Sequence, residues 1–463
     1  METEHTDVAV IGLGVGGEEA AGRLAEAGLH VTGIENRLVG GECPYWACIP
    51  SKMMIRAANL LTEARRIPGM AGTAAVTADW EPVAQRIRDE ATDNWDDKVA
   101  VDRFTGKGGH FIRGRAAITG PGELTVATAD GATRALTARR GIVVATGTDP
   151  AVPPVPGLAG TPFWTNRDAA EAEQVPESLI VLGGGPVGAE LSQVFARFGA
   201  RVTVIEALPR LLPAAEPEAG DLLAAVFARE GIDVRTGIPA AGVSHDGRRF
   251  TVSVDGEAVT AERLLVAAGR LTRLAELGIA ALGLDAAARV ITVDERMRAA
   301  GGLWAIGDIT GVSAHTHMAM YQADIAVRDI LGTGGPAADY RAVPAVTFTD
   351  PEIGQAGLTE AQARQRGINV RTGITQVPSS ARGWIHKAGN DGFIKLIADA
   401  GRGVLVGATS AGPAGGEVLG ALVLAIHAQV PVSSLKTMIY AYPTFHRAIQ
   451  DAVRDLDKRI SPA

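Results

Sequence analysis

Asp7-Val8-Ala9-Val10-Ile11-Gly12-Leu13-Gly14-Val15-Gly16-Gly17 reads as a short buried strand running into a glycine turn. An alanine-rich helix is expected over 18–27, and a second strand over 30–34 that ends in Glu35. Strand, turn and helix in that order are the context in which G-x-G-x-x-G carries weight; alone it is a common glycine-rich turn with no ligand. Gly12 makes the tight turn, Gly14 lets the backbone approach a pyrophosphate, and Gly17 lets helix and strand pack closely. The helix N-terminus then holds the phosphates, and Glu35 is placed to hydrogen-bond an adenosine ribose.

The pattern recurs. Leu179-Ile180-Val181-Leu182 is a strand, Gly183-Gly184-Gly185-Pro186-Val187-Gly188 a phosphate loop, and the strand 202–205 ends in Glu206. Gly183, Gly185 and Gly188 take the three glycine roles. From the third glycine to the acid is 18 residues in both copies (17 to 35, 188 to 206). Matched spacing makes this a repeat of function: two dinucleotides, two Rossmann-like folds. A carboxylate at 206 bonds a ribose 2′-hydroxyl and repels a 2′-phosphate, which favours NADH; Arg210 nearby leaves NADPH open. Leu265-Val266-Ala267-Ala268-Gly269-Arg270 reads as the return strand of the second fold.

Between the copies lies Gly40-Gly41-Glu42-Cys43-Pro44-Tyr45-Trp46-Ala47-Cys48-Ile49-Pro50-Ser51-Lys52, which holds the only two cysteines of 463 residues. A disulfide across so short a loop removes little unfolded-state entropy, so a redox pair is the better reading than a staple. Buried inert thiols are the alternative. Half a zinc site lacks its other half, since of nine histidines only His315 and His317 are close in sequence; those two read as polar residues at a helix start.

This segment resembles the redox motif of the class I pyridine nucleotide-disulfide oxidoreductases, which include dihydrolipoamide dehydrogenase, glutathione reductase and mercuric reductase. The resemblance extends over nearly the whole chain. It implies FAD in the first fold, a nicotinamide dinucleotide in the second, and a Cys43–Cys48 redox disulfide. Cys48 is then the flavin-proximal thiol and Cys43 the one that exchanges with substrate. A helix expected over 53–61 puts Cys48 at a positive end that favours the thiolate. Lys52 and Glu190 match the family's ion pair beside the flavin. Gly147, in Ala145-Thr146-Gly147, matches its return strand. Asp308, in Leu303-Trp304-Ala305-Ile306-Gly307-Asp308, matches the acid on the ribityl chain, an ordinary helix N-cap being the alternative.

Two departures stand out. Pro44, Tyr45 and Trp46 are bulkier than the family's usual residues between the cysteines. Tyr440-Ala441-Tyr442-Pro443-Thr444-Phe445-His446-Arg447 aligns with a segment whose second His and following Glu form an acid–base dyad reaching across a dimer. Here Tyr442 and Arg447 stand in those places. Mercuric reductases also carry Tyr there. His446 is a new titratable group nearby, either a substitute base or a surface residue.

The expected fold class is α/β, with two Rossmann-like nucleotide-binding domains and a C-terminal α/β dimerisation domain. The expected boundaries are 1–150 for FAD, 151–271 for NAD(P), 272–340 completing the flavin site, and 341–463 for the interface of a homodimer. Net charge is −8 with both signs interspersed, which favours neither nucleic acid nor an anionic membrane. No apolar run is long enough to span a bilayer and no leader pattern opens the chain, so a cytoplasmic protein without a metal site is expected. The expected activity passes electrons from NAD(P)H through FAD and the dithiol to a disulfide, a metal ion or another small-molecule acceptor. The alternatives are a diaphorase or quinone reductase with secondary cysteines, and a flavin-loaded sensor.

Overall fold

The computed structural model describes residues 3–460. The chain divides into two compact units: 1–50, 84–151 and 270–339 in the first, and 51–83, 152–269 and 340–463 in the second.

In the first unit, β1 (Thr3–Ile11) turns through Gly12 into α1 (Val15–Glu26) and returns as β2 (Val31–Glu35). β1 pairs in parallel with β2 on one side and with the strand Thr133–Val144 on the other. The fully buried runs Val8–Val10 and Ile142–Val144 explain why these segments carry no alternation: both faces of a parallel sheet are covered. The strand Leu303–Ala305 adds beyond Thr133–Val144 in parallel. Gly12 sits at φ +88°, and a Cβ there would strike the carbonyl of Ala145; a Cβ on Gly17 would strike the carbonyl of Gly12. The first glycine is therefore demanded by the turn, the third by helix–strand packing.

α2 (Glu42–Tyr45) is a single turn and α3 (Cys48–Arg65) runs on from the first unit into the second. α3 begins at Cys48 itself, five residues earlier than its apolar pattern indicates.

In the second unit, β3 (Ser178–Leu182), α4 (Pro186–Arg197) and β4 (Arg201–Glu206) repeat the first motif. Four parallel strands run in the order Arg263–Val266, β3, β4, Asp233–Thr236. The glycine contacts repeat as well: Gly183 against the Ala267 carbonyl, Gly188 against the Gly183 carbonyl. Residues 344–412 build a five-stranded antiparallel sheet, with helices Gly415–His427 and Ala448–Ile460 packed through Leu419, Leu422, Val453 and Leu456. Lys395 of this sheet is 7% exposed and contacts Glu216, Glu218 and Glu360 at 2.8, 2.7 and 2.9 Å. Burial pulls the pKa of its ammonium down, and the carboxylates more than reverse this, leaving it raised.

Among the described residues no helix is long and apolar enough to cross a membrane.

Candidate active site

The first unit holds a cleft of about 380 Å³ lined by Gly12, Glu35, Arg37, Gly147, Thr148 and Arg273, among others. Two loops end there because a parallel sheet opens its crevice at the carboxyl ends of its strands. Glu35 is buried, and its two oxygens accept from the backbone N–H groups of Leu13 (2.8 Å) and Arg37 (2.7 Å). Burial raises its pKa against the pull of these bonds. The carboxylate thus braces the glycine turn from behind. Gly14 is the extended N-cap of α1 and presents bare backbone at the helix's positive end. These features fit the diphosphate and adenosine of a dinucleotide.

The redox loop is joined to that turn by backbone. Gly40 N–H donates to Leu13 O at 2.7 Å, and a Cβ on Gly41, at φ +69°, would lie 2.8 Å from the Cα of Gly14. This close approach is the reason for the glycine pair before Cys43. Cys43 is the second residue of α2 and Cys48 the first of α3, both partly exposed. The Cys48 Sγ lies 3.3 Å from the Thr316 Oγ1, at the first turn of the helix Thr316–Leu331. Hydroxyl and helix end both favour a thiolate at Cys48.

Asp308 lies in a 3₁₀ turn (Gly307–Thr310) just after the strand Leu303–Ala305. It accepts from Thr148 Oγ1 at 2.7 Å; Arg270 donates to that same hydroxyl at 2.6 Å and to the Thr148 carbonyl at 2.7 Å. Arg270 is also 3.8 Å from Glu42. Thr148, Arg270 and Thr316 escaped the sequence reading. The first two directly follow the flagged glycines Gly147 and Gly269; Thr316 lies between His315 and His317, which were singled out instead.

In the second unit Lys52 Nζ is 2.8 Å from Glu190 Oε2 and 4.5 Å above the Phe348 ring. The other oxygen of Glu190 accepts from Phe348 N–H at 2.8 Å. Glu206 repeats the role of Glu35, accepting from Gly184 N–H (2.6 Å) and Leu208 N–H (2.7 Å). Arg210 donates to the carbonyls of Pro213 and Ala215, which gives its guanidinium an occupation other than a nucleotide phosphate.

Tyr442 is 70% exposed, its ring 5.6 Å from the Arg447 guanidinium, which also reaches Asp451 at 3.2 Å. His446 Nδ1 is 2.9 Å from Thr444 Oγ1. His315 and His317 stack at 5.1 Å at the start of their helix. Among the described residues no group of three or more His, Cys, Asp or Glu side chains is placed to hold a metal ion.

Residues 6–323 match the family described as pyridine nucleotide-disulphide oxidoreductase, and residues 343–453 its dimerisation domain. The chain belongs to the pyridine nucleotide-disulphide oxidoreductases. It is an NAD(P)H-dependent, FAD-containing oxidoreductase, which sets aside the sensor reading. A dihydrolipoyl dehydrogenase of Chlorobaculum tepidum is 34% identical over 459 residues, covering 97% of this chain and 96% of the relative. A mercuric reductase of Shigella flexneri is 33% identical over 469 residues, covering 98% and 81%. Among solved structures, the Cu(II) complex of the HOCl-induced flavoprotein disulfide reductase RclA from Escherichia coli superposes with a TM-score of 0.85 at 26% identity, covering 98% of this chain and 99% of that one. LpdA from Mycobacterium tuberculosis gives 0.85 at 27% identity, with the same coverage.

Proposed function

We propose that the enzyme takes electrons from NADH, passes them to the Cys43–Cys48 pair, and delivers them to a thiophilic metal ion instead of an organic disulfide. The observation that carries this is the pairing of Tyr442 with Arg447 where the family's acid–base dyad is expected. A phenol ordinarily stays protonated near neutrality, and a guanidinium does not give up its proton. Thiol–disulfide exchange has to protonate a departing thiolate and deprotonate an attacking thiol. Transfer to a metal ion has no departing thiolate to protonate and needs no protein base: the ion displaces the remaining thiol proton to water as it binds both sulfurs, which then close to a disulfide and release two electrons. Those electrons reduce one Hg(II) to Hg(0) or two Cu(II) to two Cu(I). Soft thiolates favour soft ions, and mercuric reductases and a Cu(II)-binding reductase stand among the similar proteins.

Bound FAD supplies the two-electron carrier between nicotinamide and dithiol. Gly12, Gly14, Gly17, Glu35, Gly147 and Asp308 hold it in this reading; Gly183, Gly185, Gly188, Glu206 and Gly269 hold the nicotinamide dinucleotide. Lys52, fixed by Glu190, is the cation that the family resemblance assigns to the flavin, and such a charge would stabilise negative charge arriving on it. Cys48 keeps a thiolate through Thr316, and Cys43 meets the acceptor. A second copy covers Ile439, Trp384 and Tyr442, which are 95%, 75% and 70% exposed on the dimerisation domain.

Anaerobic enzyme reduced with NADH and mixed with Cu(II), Hg(II), lipoamide, glutathione disulfide or a quinone tests the acceptor. Rapid flavin reoxidation by the metal ions and slow reoxidation by the disulfides is expected; the reverse order overturns the metal reading. NADH is expected to exceed NADPH in kcat/KM by about tenfold or more, the worth of a charged hydrogen bond. Glu206→Ala narrows that gap, chiefly by raising the KM for NADH. Equal kcat/KM values in the wild type contradict the role given to Glu206.

A further inference from the structure

Residues 81–106 are helical except at one break, and the break lies against the redox loop. The helix Glu81–Arg86 widens into a π-turn over Ile87–Ala91. Asp93, Asn94 and Trp95 then follow at φ 47°, 56° and 57°, a run of three left-handed residues without a glycine. Each is an unfavourable conformation for a residue with a Cβ, and such strain persists only where the surroundings over-determine it. Thr92, 1% exposed, does so: its hydroxyl donates to Arg88 O at 3.1 Å and accepts from Trp95 N–H at 3.3 Å. Asn94 N–H donates to Arg88 O at 2.7 Å.

The strained run aims two groups at the loop. Trp95 Nε1–H donates to the carbonyl of Tyr45 at 3.3 Å, a peptide between the two cysteines. Asp97, 8% exposed, accepts from Val39 N–H at 2.6 Å, immediately before Gly40-Gly41. Arg113 holds Asp97 and also reaches the Arg37 carbonyl. The loop is thus gripped on both sides of its two left-handed glycines, in addition to the bond from Gly40 N–H to Leu13 O. The side chain of Tyr45 is buried as well; burial, with Asp97 and Glu18 nearby, pushes its phenol up to about 12, so it stays neutral.

We infer that Trp95 is a positioning residue for the dithiol: its hold on the Tyr45 carbonyl keeps α2, and with it Cys43, within reach of Cys48 through each redox cycle. The inference rests on the proposed redox role of the cysteine pair. A held Cys43 has a higher effective concentration at Cys48, which favours the disulfide over the dithiol. Losing the hold makes the disulfide easier to reduce.

The experiment equilibrates the purified holoenzyme in glutathione redox buffers and counts closed and open pairs by alkylation and mass spectrometry. In the reaction two glutathione thiols are oxidised to glutathione disulfide while the protein disulfide gains two electrons and two protons. Trp95→Phe, which keeps a ring and removes the donor, is expected to raise the equilibrium constant for reduction about fivefold, the worth of one hydrogen bond, or about 20 mV. Asp97→Asn, which loosens the other grip, shifts it in the same direction. Trp95→His, which keeps a ring N–H, stays nearer the wild type. Asn94→Gly tolerates the same φ and touches nothing in the loop, so it leaves the equilibrium unchanged. Wild-type equilibria in both Trp95→Phe and Asp97→Asn overturn the inference, as does an equal shift in Asn94→Gly. Wild-type cysteines that never close in oxidised buffer overturn the redox pair itself, a different result from an unmoved equilibrium.

Discussion

Cys43→Ser enzyme shows a long-wavelength thiolate-to-flavin absorption band before any reductant is added, and Cys48→Ser enzyme never shows it. The wild type shows the band only after two-electron reduction. The expectation follows from the two ends of the redox loop. Cys48 opens α3, where the helix end favours an anion, and has the Thr316 hydroxyl at 3.3 Å. Cys43 sits on the single turn α2 next to the two glycines. With Cys43 gone, no disulfide forms and Cys48 keeps its charge. The same variant accepts hydride from NADH at the wild-type rate, yet its turnover with a dithiol-dependent acceptor falls by a factor on the order of 10³ or more, as expected when a nucleophile that acts as part of a unit is removed. A quinone acceptor keeps its turnover, and that result alone favours the diaphorase reading. Stopped-flow spectra under nitrogen decide the matter, and a wild type without the band under any donor removes the redox role from the pair.

The features legible in the sequence are the turns in which one residue type answers one backbone demand. Gly12 and Gly183 stand where the return strand's carbonyl excludes a Cβ, and Gly17 and Gly188 where helix meets strand. Those constraints are local, so they repeat with matched spacing and can be read twice. Lys52 and Glu190 are far apart in sequence and were paired only through the family resemblance; their 2.8 Å contact follows from α3 and α4 packing in one unit. Two things were not legible. Side chains that act through hydroxyls, such as Thr148 and Thr316, leave no period or charge pattern, because any threonine on a helix or loop looks alike. The left-handed run Asp93-Asn94-Trp95 contains no glycine, and helical backbone gives way there to hydrogen bonds of Thr92 and to the redox loop. Local propensity lost to tertiary context beside the redox loop, where strain is most often retained.

Turnover with dihydrolipoamide or glutathione disulfide is expected to be slow while flavin reduction by NADH stays fast. General acid–base help is worth about 10²–10⁴ in rate, and its loss falls on the exchange step alone. Tyr442 and Arg447 hold each other and Asp451, so neither is arranged to carry a proton between sulfurs. Tyr442→His combined with Arg447→Glu restores the missing pair and is expected to raise lipoamide turnover by about tenfold, a part of that range. The gain is partial because Pro44, Tyr45 and Trp46 still place bulkier side chains between the cysteines than the family usually has. High lipoamide activity in the wild type gives a different answer, and the hydrogen bonds name the residue responsible. The Thr444 hydroxyl has one proton and donates it to Ala441 O at 2.8 Å. Toward His446 Nδ1 at 2.9 Å it can then only accept, which fixes the proton on Nδ1 and leaves Nε2 as the basic nitrogen. Thr444 orients that imidazole without adding charge. His446→Gln therefore separates the two outcomes: metal-ion turnover unaffected by the substitution supports the proposed acceptor, and a disulfide activity lost with it, with its pH profile flattened near neutrality, transfers the dyad's work to His446.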